Sequence, residues 1–181
     1  MIIEEKNINF AIQRLWSRTP EMMKRLLLTI FTIAAAALSV SAQPLRLGHR
    51  LPNIDVDSSV GSELKLIDKE FTCIIFMHSG SQPTLEAIKR FSNIATQWHD
   101  ELAVVLITPE QDGFEQEVLN SFTTNDTIVA FDNNYRTFES FDVQFIPFGV
   151  IYDNQKRRVQ WFGSLPQLNE AEVRVIIESK R

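Results

Sequence analysis

The sequence is poor in the residues that most often declare a function. It holds one cysteine, Cys73, three histidines, two tyrosines and six glycines in 181 residues. A single thiol excludes an internal disulfide, so the fold must be held by its core rather than by a covalent staple. His49, His78 and His99 have none of the short spacings of a metal site, so neither a metal nor a cofactor is expected. There is no block of like charge, no repeat and no low-complexity stretch. With 18 basic and 23 acidic residues the chain carries a net charge of −5. Nucleic acid and anionic membrane surfaces both require a basic patch, and none is visible along the linear sequence.

The longest apolar stretch is also informative by being short. Met22-Met23-Lys24-Arg25 is a basic start, and Leu26 to Leu38 is an apolar-dominated run that falls well below the roughly 20 residues of a membrane-spanning helix. The pattern is that of a secretory signal peptide over 22–42, with Val40-Ser41-Ala42 predicting cleavage before Gln43. Residues 1–21 then read as an upstream extension. The alternative is an uncleaved anchor. Residues 43–181 form one domain with 13 basic and 20 acidic side chains, a net charge of −7. Export would place Cys73 where disulfides persist, yet it has no intrachain partner.

What is present is an alternation of apolar strands and amphipathic helices. Ile54-Asp55-Val56 predicts a short strand and Leu64 to Ile67 an alternating segment. Phe71 to Met77 is a continuous apolar run suited to a strand buried on both faces. Leu85, Ile88, Phe91, Ile94, Ala95 and Trp98 then mark one face of a helix. Strands are predicted over Leu102 to Ile107 and Thr127 to Phe131, and helices over Phe114 to Phe122 and Tyr135 to Phe141. Phe148 to Tyr152 and Arg158 to Phe162 form a hairpin across Asp153-Asn154-Gln155-Lys156. Asn169 caps a last helix through Val173, Ile176 and Ile177. Strands and helices in this order make an α/β domain, a mixed sheet with helices on both faces.

Four segments carry a family resemblance. Leu47-Gly48-His49-Arg50-Leu51-Pro52-Asn53-Ile54 sets a Gly four residues ahead of a Pro and an apolar position. Ile74 to Phe91 gives strand, polar turn and long helix. Phe145-Ile146-Pro147-Phe148-Gly149-Val150-Ile151-Tyr152-Asp153 is an apolar-Pro loop entering a strand that ends in Asp. Gly163-Ser164-Leu165 follows the last strand. In this order they resemble the thioredoxin-like superfamily, in particular its exported TlpA and redoxin branch. The resemblance covers about residues 45–181 and implies a thioredoxin-like fold.

The departure from the family is chemical. Laying Phe76 on the family's strand-end Phe puts Ser81-Gln82-Pro83-Thr84 where the family carries Cys-x-x-Cys, with Pro83 on its internal Pro. A thiol at a helix N-terminus is acidified by the helix dipole and exposed N–H groups, and its thiolate attacks disulfides. Ser and Thr hydroxyls ionise far above a thiol and form no disulfide, so dithiol–disulfide exchange is excluded on chemical grounds. Ser79 and Ser81 then read as helix caps, with Ser79 and Gln82 at capping-box spacing. In an alternative reading Ser81 donates to a bound thiolate, giving a thiol-conjugating enzyme similar to glutathione transferases. A serine nucleophile lacks a visible His–acid partner. His78 reads as a hydrogen-bonded structural residue, with a chemical role as the alternative, and Cys73 as a small core residue.

The resemblance further implies that Pro147 is cis and faces the turn, and that the backbone of Ile146 pairs with an extended peptide. Met77, Phe145, Ile146 and Phe148 are candidates for an apolar rim. The expectation is therefore an exported, redox-inactive binding module of the cell envelope, periplasmic or otherwise extracytoplasmic. Its partner would be a protein or peptide there, with no nucleic acid, and with the membrane touched only through a retained leader.

Overall fold

A computed structural model describes residues 45–60, 69–110 and 127–179. The leader at 22–42, the segment at 64–67 and the helix predicted over 114–122 lie outside the described residues.

Six strands are described: β1 (Ser58–Val60), β2 (Phe71–Phe76), β3 (Leu102–Thr108), β4 (Thr127–Phe131), β5 (Phe148–Asp153) and β6 (Arg158–Ser164). They form one sheet in the order β1-β4-β3-β2-β5-β6. β2, β3 and β4 run parallel, while β1, β5 and β6 join antiparallel. Three helices accompany them: α1 (Gln82–Ala95), α2 (Arg136–Ser140) and α3 (Glu170–Glu178). The predicted α/β class and mixed sheet are thus observed.

β2 is central and every one of its residues is buried, which is why its apolar run has no polar alternation. Successive side chains leave opposite faces of a strand. Phe71, Cys73, Ile75 and Met77 accordingly join one core with Ile88 and Phe91 of α1 and Val173 and Ile177 of α3. Ile74 and Phe76 join a second core with Phe141, Phe148 and Val150, against which Phe138 of α2 packs. Phe76 is the hub of that second core, with ring centroids 5.0 Å from Phe138, 5.1 Å from Phe141 and 6.2 Å from Phe148.

The helix ends follow their sequence signals only at α3. Asn169 caps α3 as predicted, its Oδ1 accepting from Glu172 N–H at 3.0 Å while Glu172 Oε2 accepts from Asn169 N–H at 3.1 Å. α2 has no side-chain cap at Tyr135, which sits in the left-handed region at φ 58. Its free N–H groups go instead to buried Asp132, whose Oδ2 accepts from Thr137 and Phe138, each at 2.9 Å. This carboxylate lies just beyond β4, too far along the chain to be read as a cap.

The predicted strand at Ile54–Val56 does not form; the strand is Ser58–Val60, paired with β4. Asp55 spends its backbone on a side chain instead. Its N–H donates to Thr137 Oγ1 and its C=O accepts from the same hydroxyl, both at 2.9 Å. The hydroxyl takes the place of a neighbouring strand. Gly163, expected after the last strand, lies within β6.

Candidate functional site

β2 and β3 are parallel and end side by side, while antiparallel β5 begins beside the end of β2, with Phe76 opposite Phe148. Everything immediately after β2 and β3, or before β5, therefore meets at one edge of the sheet. That edge gathers His78 to Ser81, Glu110, and the loop ending in Pro147. Outside the carboxyl ends of parallel strands is where open α/β sheets place their ligands.

The turn after β2 is tight. Ser81 N–H donates to His78 O at 3.2 Å, and Leu85 N–H donates to Ser81 O at 3.0 Å as the first bond of α1. Ser81 is thus the N-cap residue, Pro83 falls in the first turn where its missing N–H is harmless, and Thr84 is fully buried. The capping roles expected of the serines are not observed. Ser81 makes no side-chain cap bond; its Oγ accepts from Thr84 Oγ1 at 2.8 Å instead. Ser79 lies outside the helix, and its N–H donates to Glu110 Oε2 at 2.6 Å. Gln82 is the first helical residue, so the capping-box spacing is off by two positions.

Glu110 is the residue that sequence reasoning missed. Besides Ser79 N–H, it takes Thr108 Oγ1 at 3.3 Å on Oε2, and its Oε1 lies 2.9 Å from His78 Nδ1. Gly80 N–H also points at Nδ1 from 3.3 Å, but one nitrogen cannot both donate and accept. The shorter, charge-assisted contact to the carboxylate fixes the proton on Nδ1. Glu110 thereby clamps two consecutive residues of the turn to the end of β3. The signal that could have found it is topological: a carboxylate just past the neighbouring parallel strand.

This arrangement is not that of a serine nucleophile. The hydroxyl that Ser81 contacts belongs to Thr84, and among the described residues no side-chain hydrogen bond joins Ser81 Oγ to the His78 imidazole. Nor does any group of described His, Cys, Asp and Glu side chains form a metal site.

Across the edge, the Ile146–Pro147 peptide bond is cis, as the resemblance implies. Pro147 is buried and its C=O accepts from Leu165 N–H at 3.1 Å. The residues before it are open: Phe145 is 50% and Ile146 38% exposed, and neither backbone forms a hydrogen bond with a described residue. Phe145 stands edge-on against Phe148, centroids 5.4 Å apart. Of the four rim candidates, Phe145 and Ile146 are therefore at the surface. Met77 and Phe148 are not; both are buried, in different cores, because they continue the strands on which they lie.

Cys73 is the chain's one cysteine and is fully buried in β2. Burial away from any opposite charge pushes its thiol well above the usual range. A thiol reagent is expected to leave Cys73 unlabelled in the native protein and to label it completely in denaturant. Rapid native labelling would show that the strand opens to solvent.

A mixed sheet of this order, with a strand–turn–helix facing a cis-proline loop, is the architecture of thioredoxin-like proteins. The solved structures agree. A thioredoxin-like protein determined in solution in its oxidized form superposes with a TM-score of 0.61 at 16% identity, over 75% of this chain and 99% of its own. A Chlorobium tepidum protein assigned as the thiol:disulfide interchange protein DsbE gives 0.59 at 14%, over 74% and 99%. The C-terminal domain of an uncharacterized Bacteroides fragilis protein gives 0.53 at 15%, over 74% and 97%. Neither a protein-family model nor a curated protein matches the sequence. The chain has the thioredoxin-like fold, and it has it without the Cys-x-x-Cys motif.

Proposed function

We propose that this chain is a redox-inactive thioredoxin-like binding module that pairs an extended protein or peptide segment with the backbone of Ile146. The observation that carries this reading is the state of Phe145 and Ile146. Two apolar side chains stand exposed beside backbone groups that no described residue satisfies, at the end of the sheet where a short strand can be added. Main-chain pairing would supply the affinity, and contact with Phe145 and Ile146 a preference for apolar side chains. The reading includes an extracytoplasmic setting, supported by the leader pattern at 22–42.

Binding to an array of extended peptides tests it. Peptides with alternating apolar residues are expected to be captured by the wild-type chain. Ile146→Asp and Phe145→Ser should each weaken capture about tenfold, as loss of a central apolar contact costs more than 1 kcal/mol. Equal capture by all three proteins would count against the site.

A second reading is favoured by one detail. The Ser81 hydroxyl accepts from Thr84 and is not spent on capping, so its own proton is available to donate to a bound thiolate. This thiol-conjugating activity would show as retention on immobilised glutathione that disappears in Ser81→Ala. No retention would remove it and leave the binding module.

A further inference from the structure

At the opposite end of the sheet the fold assembles a basic patch of which the linear sequence shows only Lys156-Arg157-Arg158, by itself a solvated hairpin turn. The chain turns at Arg46 to His49, where His49 N–H donates to Arg46 O at 3.2 Å and Gly48 takes φ 73. It then lies along the outer edge of β6. Gly48 N–H donates to Val159 O at 2.7 Å, Val159 N–H to His49 O at 3.0 Å, and Leu51 N–H to Arg157 O at 2.8 Å. The resulting antiparallel bridge sets Arg50 directly opposite Arg158.

That pairing has an electrostatic cost. Because the flanking residues make the bonds, Arg50 and Arg158 are a non-hydrogen-bonded pair, in which Cα atoms lie about 4.5 Å apart and the side chains are closest. Like charges placed so are destabilising. Arg158 Nη1 donates to Gly48 O at 2.5 Å, which uses one donor and cancels no charge. Among the described residues, none of Arg46, Arg50, Lys156, Arg157 and Arg158 forms an ion pair with a carboxylate. Beside the bridge opens a pocket of about 230 Å³, lined by Arg46, His49 and Arg50 together with Leu51, Pro52 and Ser140, and by no acidic residue.

We propose that this pocket binds a phosphate-type dianion, carried on a free phosphate ester or on a lipid headgroup, held by Arg46 and Arg50, the two arginines that line it. Guanidinium groups match phosphate oxygens two at a time. A dianion matches the two arginines that line the pocket, which a single carboxylate cannot. Three backbone bonds, two to Val159 of β6 and one to Arg157 just before it, fix the main chain that carries Arg50. The site lies at the other end of β5 from Ile146 and stands independently of the peptide-binding reading.

Inorganic phosphate is the first probe, titrated into the full chain against chloride at matched ionic strength, with melting temperature and calorimetry as readouts. Phosphate is expected to bind and to raise the melting temperature. Arg50→Gln and Arg46→Gln should each lower the affinity about tenfold or more, the scale of one charged hydrogen-bonding partner. The second arm is flotation with phosphatidic acid vesicles, whose phosphomonoester headgroup can carry two charges, against phosphatidylcholine vesicles. Binding to phosphate assigns a soluble ester; binding to the anionic vesicles alone assigns a headgroup; both must weaken in the variants. Stabilisation by chloride equal to that by phosphate, with no preference for anionic vesicles, overturns the proposal. So does binding unchanged in both variants.

Discussion

Replacing Ser81 and Thr84 together by cysteine is expected to switch on disulfide exchange, while the wild-type chain is expected to reduce insulin no faster than buffer. The two hydroxyl oxygens lie 2.8 Å apart, so sulfurs on the same carbons come within reach of an S–S bond of about 2.05 Å. Ser81 is the N-cap residue, where free N–H groups and the helix dipole favour a thiolate. Thr84 is buried and would become the resolving thiol, shielded until the outer one has reacted. The measurements are insulin turbidity and titration of free thiols in the oxidised protein. The outcome should be one new disulfide and clear turnover, with neither single variant sufficient. A double variant that keeps three free thiols would mean that the turn does not have redox geometry. Wild-type turnover above buffer would refute the chemical exclusion.

Truncating Phe76 to alanine is expected to cost about 3–5 kcal/mol, the range for removing a buried aromatic ring. Phe76 is fully buried and touches Phe138, Phe141 and Phe148. Its loss would leave a cavity that β2 and β5, hydrogen-bonded on both sides, cannot collapse to fill. Domains of this size have about 5–15 kcal/mol in all, so the variant should unfold at far lower denaturant. Phe145→Ala is the contrast: its ring is half exposed, and surface changes of this kind move stability by about 0.5 kcal/mol. Urea midpoints compare the two directly. Similar losses at both positions would show that Phe145 belongs to the core.

The difference between these phenylalanines was legible in the sequence only in part. Phe76 ends a run of β-branched and aromatic residues whose burial on both faces is written in its lack of polar alternation. The helix after it, the hairpin and the Asn169 cap follow from equally local patterns. Phe145 and Phe148 look alike in sequence, and only the register of β5 against β2 buries the second and leaves the first out. The same limit explains Glu110. It acts across 31 residues of chain on Ser79, and no local pattern reports which strand ends become neighbours. Thr137, which occupies the backbone of Asp55, and the bridge between Arg50 and Arg158 are distant in sequence too. The serine caps failed in two ways: Ser79 lies outside the helix with its N–H held by distant Glu110, and the Ser81 hydroxyl is engaged by Thr84 Oγ1.

One strand joins the two ends described above. β5 begins at the Ile146–Pro147 loop and finishes at the hairpin that carries Arg158. Six residues at about 3.3 Å each make it a ruler of roughly 20 Å. It is buried throughout and flanked by strands on both sides, in unbroken register with β2 and with one irregularity against β6 between Ile151 and Tyr152. Substituents at its two tips are too far apart to feel one another, and changes there should add rather than interact. The two proposed sites are thus poles of one strand, exposed Phe145 and Ile146 near one tip and the Arg50–Arg158 bridge near the other.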